Sequence, residues 1–191
     1  MAYLEGKNLV ASYGIVPILH ECSVEVEKGE LAVIVGPNGA GKSTVMRVLL
    51  GMLNATSGSV SLDGRDISAL STQDRISEGL AFVPQTKNVF PSMTVEENLQ
   101  MGGFIRQDDI NQTIEEVYSL FPILYEKRKQ LAEQLSGGQR QQVAFGRAMM
   151  TKPSIMLLDE PTAGVSPIVM DEIFSNILDV KNAGMAVLMV E

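Results

Sequence analysis

The sequence predicts an α/β protein built on a mostly parallel core sheet flanked by helices, with an N-terminal antiparallel β lobe and an inserted helical lobe. Three observations predict it. Short apolar runs at Leu31-Ala32-Val33-Ile34-Val35, Ser154 to Leu158 and Ala186 to Val190 have the look of buried parallel strands. Each of the first two is followed by a polar loop and a helical pattern. Near the N-terminus, by contrast, Tyr3 to Tyr13 and Ile18 to Val26 alternate polar and apolar residues as antiparallel strands do, before Lys28-Gly29 turns the chain into the first apolar run. Gly58 to Leu62 is expected to join that β lobe, and Leu80-Ala81-Phe82-Val83-Pro84 to add a core strand. From about Thr86 to Leu135 the spacing becomes helical. Thr94 with Glu97 makes a capping box for Val95 to Phe104, and Ile114, Val117, Tyr118 and Phe121 mark one face of the next helix. Helices are expected again over Val143 to Met150 and from Pro167 to Asn182. The whole of 1–191 reads as a single domain, with 1–85 and 140–191 forming the core and β lobe and about 86–139 the helical lobe.

The loop after the first core strand is Gly36-Pro37-Asn38-Gly39-Ala40-Gly41-Lys42-Ser43-Thr44. A triphosphate such as that of ATP needs hydrogen-bond donors close enough to touch its oxygens, and residues without a Cβ let the backbone curl around a phosphate and point successive N–H groups inward. The helix beginning near Gly41 adds the positive end of its dipole. Lys42 is expected to reach the β- and γ-phosphates, and Ser43 to ligate Mg²⁺ through its hydroxyl. Strand, glycine loop and helix occur in the order of a P-loop NTPase.

The strand over Ser154 to Leu158 delivers Asp159 and Glu160 to its carboxyl end, where ligands sit in open parallel sheets. Asp159 is expected to hold Mg²⁺ through its water shell, and Glu160 to orient or deprotonate the attacking water. Between loop and carboxylates lies Leu135-Ser136-Gly137-Gly138-Gln139. Ser136 can cap a helix starting near Gly138, so that a hydroxyl, two glycine N–H groups expected to be unobstructed and a helix dipole face an anion. That is a second phosphate-binding surface in one small chain.

Together these three segments resemble the ATP-binding cassette (ABC) ATPases, over essentially the whole chain. The resemblance implies that the second surface faces the ATP of an opposite subunit, so that two ATPase chains, identical or related, sandwich two nucleotides. It implies further roles residue by residue. Gln85 is similar to the family's glutamine that touches Mg²⁺ and the attacking water, and Tyr13 to the aromatic that stacks on adenine; a tyrosine is also an ordinary strand residue. Gly164, Val165 and Ser166 match the segment that crosses the dimer interface, with Ser166 in place of the usual aspartate. In the family the chain continues past the strand ending at Val190 into a switch histidine and further elements. The expectation is therefore a C-terminally truncated chain in which nucleotide binding survives better than hydrolysis. His20 is expected to have a surface or packing role.

Within the family, Phe90-Pro91-Ser92-Met93-Thr94-Val95-Glu96-Glu97-Asn98-Leu99, then Met101-Gly102-Gly103-Phe104, and 117–122 and 161–167, resemble the branched-chain amino-acid uptake branch. That branch implies integral-membrane permease subunits and a second ABC ATPase as partners, at the cytoplasmic face of the membrane, with the solute chosen by other proteins. The ATPase of a lipid or lipopolysaccharide exporter, and a soluble ABC ATPase of DNA repair or translation, share the three motifs. The latter usually carries tandem cassettes or long inserted arms, which this chain does not.

Composition fits a packed domain, since 45% of the 191 residues are hydrophobic and 20% charged. A net charge of −8 argues against a nucleic-acid groove and against adhesion to anionic lipid, both of which favour clustered Lys and Arg. No apolar run approaches the roughly 20 residues that span a bilayer, so direct membrane insertion is not expected. The lone Cys22 has no partner for an internal disulfide.

Overall fold

The computed structural model describes residues 2–191. Two sheets organise it. Strands β1 (Leu4–Tyr13) and β2 (Val16–Val26) form a long antiparallel hairpin, and β1 pairs on its other side with β4 (Ser57–Leu62), which carries the two-residue β5 (Arg65–Asp66), giving the order β2-β1-β4-β5. The second sheet is wholly parallel, in the order β3-β8-β7-β6, from β3 (Leu31–Ile34), β6 (Leu80–Val83), β7 (Ile155–Asp159) and β8 (Ala186–Val190). Helices α1 (Lys42–Leu49), α2 (Thr72–Ser77), α6 (Gly137–Met149) and α7 (Pro167–Asn182) connect or cover these strands. Between β6 and α6 lie α3 (Val95–Gly102), α4 (Asn111–Leu120), α5 (Pro122–Glu126) and a 3₁₀ turn at Ala132–Gln134.

The parallel sheet separates two apolar cores. Alternate residues of β7 and β8 point to opposite faces. Met156, Leu158, Val187 and Met189 pack with Phe121, Val143, Phe145 and Ile177 on one side, while Ile155, Leu157, Ala186, Leu188 and Val190 pack with Met46, Leu49 and β1 on the other. Both faces are dry, so β7 and β8 are the continuous apolar strands of a doubly covered sheet. Each fully buried Leu or Phe contributes roughly 1.5–3 kcal/mol of transfer free energy.

One strand departs from its expected burial. β3 pairs in parallel with β8, from Leu31 opposite Val187 to Ile34 opposite Val190, but it has a neighbour on one side only, and Val33 remains 45% and Val35 75% exposed. An apolar run of β-branched residues serves an edge strand as well as a central one.

The helical segments follow local chemistry. The Thr94 hydroxyl accepts from Glu97 N–H at 3.2 Å while the Glu97 carboxylate accepts from Thr94 N–H at 2.7 Å, which fixes the start of α3. The helix ends at Gly102, two residues before the expected Phe104. At that point it crosses α6 so closely that a Cβ on Gly102 would run into the Arg147 carbonyl. Asn98 is fully buried. Its Nδ2 donates to the Phe90, Met93 and Thr94 carbonyls while its Oδ1 accepts from Phe90 N–H, so one side chain closes the loop ahead of its own helix. Ile114, Val117 and Tyr118 form the buried face of α4 as expected, and Phe121, just past its end, is buried with them.

Candidate functional site

Parallel pairing brings the carboxyl ends of β3, β6 and β7 to one rim of the sheet, because Val83 lies opposite Leu158 and Asp159 opposite Val190. Residues 36–43 leave β3 there, Gln85 leaves β6, and Asp159 and Glu160 leave β7.

Gly39 and Gly41 adopt φ values of 82° and 94°, in the region that favours glycine, and these bend the loop into a concave turn leading into α1. Gly41 is also tight against Leu19, which lies 3.1 Å from where its Cβ would be. Lys42, at 7% exposure, folds back over the loop. Its Nζ donates to the Gly36 carbonyl at 2.8 Å and the Pro37 carbonyl at 3.3 Å, and lies 3.6 Å from Glu160 Oε1. Ser43 Oγ donates to Asp159 Oδ1 at 2.9 Å, across 116 residues of sequence. Gln85 Nε2 donates to Glu160 Oε2 at 2.9 Å. Glu160 itself sits at φ 43°, a left-handed conformation uncommon for a non-glycine residue. Its N–H donates to the Val190 carbonyl and its own carbonyl accepts from Ala163 N–H, so the backbone is held in that state from both sides.

The lysine, the serine hydroxyl, both carboxylates and the glutamine therefore form one connected constellation. Ser43 and Asp159 offer two hard oxygen atoms side by side, the donor type Mg²⁺ prefers. No group of three or more His, Cys, Asp or Glu suited to a metal occurs among the described residues. A cation held there would need phosphate and water oxygens to complete its shell, as Mg²⁺ does when it binds with a nucleotide.

Tyr13 stands at the end of β1, 44% exposed, and its Oη accepts from Arg47 Nη1 at 3.0 Å. Arg47 is in α1, six positions along from the N-cap Gly41, so the same helix that begins at the glycine loop steadies the aromatic. Nothing in the sequence points to Arg47 in this way, because the pairing depends on how the β hairpin lies on α1.

Ser136 and Gln139 form a reciprocal cap at the start of α6: Ser136 Oγ accepts from Gln139 N–H at 3.2 Å and Gln139 Oε1 accepts from Ser136 N–H at 3.1 Å. Gly137 is open, with nothing within 4 Å of a Cβ built on it. Gly138, unlike Gly137, has a neighbour on its Cα side. The Glu172 carboxylate of α7 lies against it, with Cδ 2.7 Å from the position of a Cβ. No hydrogen bond or ion pair among the described residues joins 136–139 to the loop at 36–43. The structure thus separates the second glycine surface from the first.

The segment between Gln85 and α3 is tied to α6. Arg147 Nη1 donates to the Asn88 carbonyl at 2.8 Å and its guanidinium stacks on Phe90 at 4.5 Å, while Asn88 Nδ2 donates to Gln141 Oε1 at 2.9 Å. Burial pulls the Arg147 pKa down from its usual value.

Residues 19–163 match the family model described as ABC transporter. The chain is 43% identical over 180 residues to the high-affinity branched-chain amino acid transport ATP-binding protein BraG of Pseudomonas aeruginosa, covering 94% of this chain and 77% of that one. It is 35% identical over 195 residues to the lipopolysaccharide export system ATP-binding protein LptB of Haemophilus influenzae, covering 100% and 80% respectively. Among solved structures, the ADP conformation of MJ1267, an ATP-binding cassette of an ABC transporter, superposes with a TM-score of 0.92 at 32% identity, over 100% of this chain and 81% of the other. No helix among the described residues is long and apolar enough to cross a membrane.

Proposed function

The chain belongs to the ABC transporter family of nucleotide-binding ATPases, and from that premise we propose that it energises an importer of branched-chain or related amino acids. The observation that carries the substrate class is the 43% identity to BraG over 94% of the chain. Membrane attachment would run through permease subunits at the cytoplasmic face. A groove of about 300 Å³ next to the Gln85 segment, lined by Phe82, Pro84, Lys87, Met101, Ile105 and Arg147, suits the apolar end of a permease loop.

In the proposed mechanism Lys42 exchanges its contacts with the Gly36 and Pro37 carbonyls for the β- and γ-phosphates, and the N–H groups of 39–43 complete the cradle. Ser43 and Asp159, with Gln85 alongside, would hold Mg²⁺, which would supply positive charge to the phosphate oxygens. Once Lys42 has moved, Glu160 is free to accept a proton from the attacking water. Gln85, bonded to Glu160, orients that carboxylate and reports its state to the groove. Tyr13, steadied by Arg47, offers its ring to adenine. Ser136 to Gln139 address the nucleotide of a second ATPase chain, identical or related, and closure of the pair is the stroke delivered to the permeases.

The decisive experiment is affinity purification of the tagged protein from its native membranes. Two integral permeases and a second ATPase of the amino-acid importer type are expected. Recovery of a lipopolysaccharide export assembly, the reading favoured by the LptB match, would overturn the substrate assignment. In a dimerisation assay, Glu160→Gln should accumulate an ATP-bound pair; a monomer at saturating ATP would refute the sandwich.

A further inference from the structure

Helices α6 and α7 run side by side in the same direction, and near their N-termini the seam between them is polar. Gly138 faces Glu172, with Glu172 Cδ and Oε1 only 2.7 and 2.9 Å from where a Cβ would stand. Four residues further along both helices, Gln142 Nε2 donates to Asn176 Oδ1 at 3.1 Å. That pair leaves Gln142 Oε1 and Asn176 Nδ2 buried with no partner. Seams of this kind usually satisfy both amide groups, because an unmet buried polar atom is costly. Glu172 is solvent-exposed and takes part in none of the four ion pairs found among the described residues. A carboxylate without a cationic partner therefore rests on the first turn of α6, whose leading N–H groups have no intrahelical acceptor and whose dipole is positive at that end.

We propose that Glu172 is a positioning residue for residues 136–139: an intramolecular counter-anion that braces the first turn of α6 and opposes the arrival of phosphate there, so that it sets the ATP concentration at which two chains close. The inference rests on the reading that this turn meets the nucleotide of a second chain. The like charges at one helix end repel, and the partly satisfied Gln142–Asn176 pair gives the seam a second polar arrangement within reach when the carboxylate is pushed aside. A side chain at 138 would have to move the end of the exposed Glu172 side chain aside.

The test is ATP-driven dimerisation of the full chain carrying Glu160→Gln, followed by light scattering across ATP concentrations at low and high salt. Glu172→Gln keeps the shape and removes the charge. It should lower the ATP concentration for half-maximal closure about twofold to fourfold at low salt, the order expected of one unit charge several ångströms from phosphate at a solvent-exposed site. The gap should shrink at high salt through screening. Binding of nucleotide to the single chain should not change, because Lys42 and the glycine loop are untouched. Glu172→Ala should behave likewise, whereas Glu172→Asp, which keeps the charge, should stay near the parent; a residue that only packed would not separate these variants by charge and salt. Gly138→Ala should block closure, and Gly138→Ala with Glu172→Ala should recover part of it. Closure curves that coincide for the parent and the Glu172→Gln variant would overturn the inference and leave the sandwich standing. Absence of closure in every chain, with nucleotide still bound, would overturn the sandwich itself.

Discussion

Arg75 holds the far end of the helix that begins at the glycine loop, and removing its side chain should unseat that helix. The residue is only 3% exposed. Nη1 donates to the Val48 and Leu49 carbonyls at 2.8 and 2.7 Å, Nη2 to the Ser68 carbonyl at 2.7 Å and Nε to the Leu70 carbonyl at 3.2 Å. Val48 and Leu49 end α1, where a cation gains from the dipole; the Val48 carbonyl also accepts from Gly51 N–H at 3.0 Å, whereas the Leu49 carbonyl depends on Arg75. Burial lowers the Arg75 pKa, with the Asp66 charge opposing the shift, so the charge is retained at some cost in desolvation. Arg75→Ala deprives the Leu49 carbonyl of its donor at about 1–3 kcal/mol, while the Val48 carbonyl keeps the Gly51 N–H at 3.0 Å. The Ser68 and Leu70 carbonyls, being part-buried, recover water, and loss of the buried cation offsets some of the penalty. A net cost of about 2 kcal/mol remains, which for a chain of this size is a fall in Tm of roughly 6 °C. Thermal melts followed by circular dichroism would measure it, with Arg75→Lys intermediate because a single ammonium cannot span four acceptors. A fall below about 3 °C would refute the reasoning, as it would mean that water replaces the guanidinium at the α1 carbonyls.

Lys42→Ala should weaken binding of a fluorescent ATP analogue at least about 100-fold, the scale set by losing a charge-assisted phosphate contact, and unchanged affinity would remove Lys42 from the site. Tyr118 carries a buried hydroxyl with no partner, and burial pushes its pKa up to about 12. Tyr118→Phe should therefore raise stability by about 1 kcal/mol in urea unfolding. Because the unfolded phenol ionises near its ordinary value of 10.0 while the folded one stays neutral to about 12, the parent should lose stability as pH rises through that window, and the Tyr118→Phe variant should not lose that part. Asp108 is bonded by Arg106 Nε at 2.8 Å, and this holds its pKa down at about 2 against an ordinary 3.8. Its stabilising contribution should be present above pH 3.8 and disappear as pH falls towards 2; acid titrations of Asp108→Asn should lack that step.

The glycine loop, the two carboxylates and the capped Ser136 turn were legible in sequence because each depends on near neighbours: Gly39 and Gly41 need no side chain, Asp159 and Glu160 follow their strand, and Ser136 and Gln139 cap one helix. The Thr94–Glu97 box was legible for the same reason. What was not legible depends on segments distant in sequence. Pattern alone could not place β3 at an edge, since Leu31 to Val35 is as apolar as the central strands. Arg47 beside Tyr13, Arg147 beneath Phe90 and Glu172 against Gly138 are brought together by the packing of a hairpin on α1 and of one helix on another. Helix α3 stops short for a related reason, as the carbonyl that forces a glycine at 102 belongs to residue 147.

The alternation of β7 sets two things with one register. Met156 and Leu158 face one core, Ile155 and Leu157 the other, and the next residues in line are Asp159 and Glu160. Deleting a single residue from this strand would turn each wall's side chains toward the wrong face and move both carboxylates one place along the rim. Errors in packing and errors in chemistry therefore arrive together, and a misthreaded chain cannot masquerade as a well-folded but miswired ATPase. The strand acts as a ruler that the fold reads before the nucleotide does.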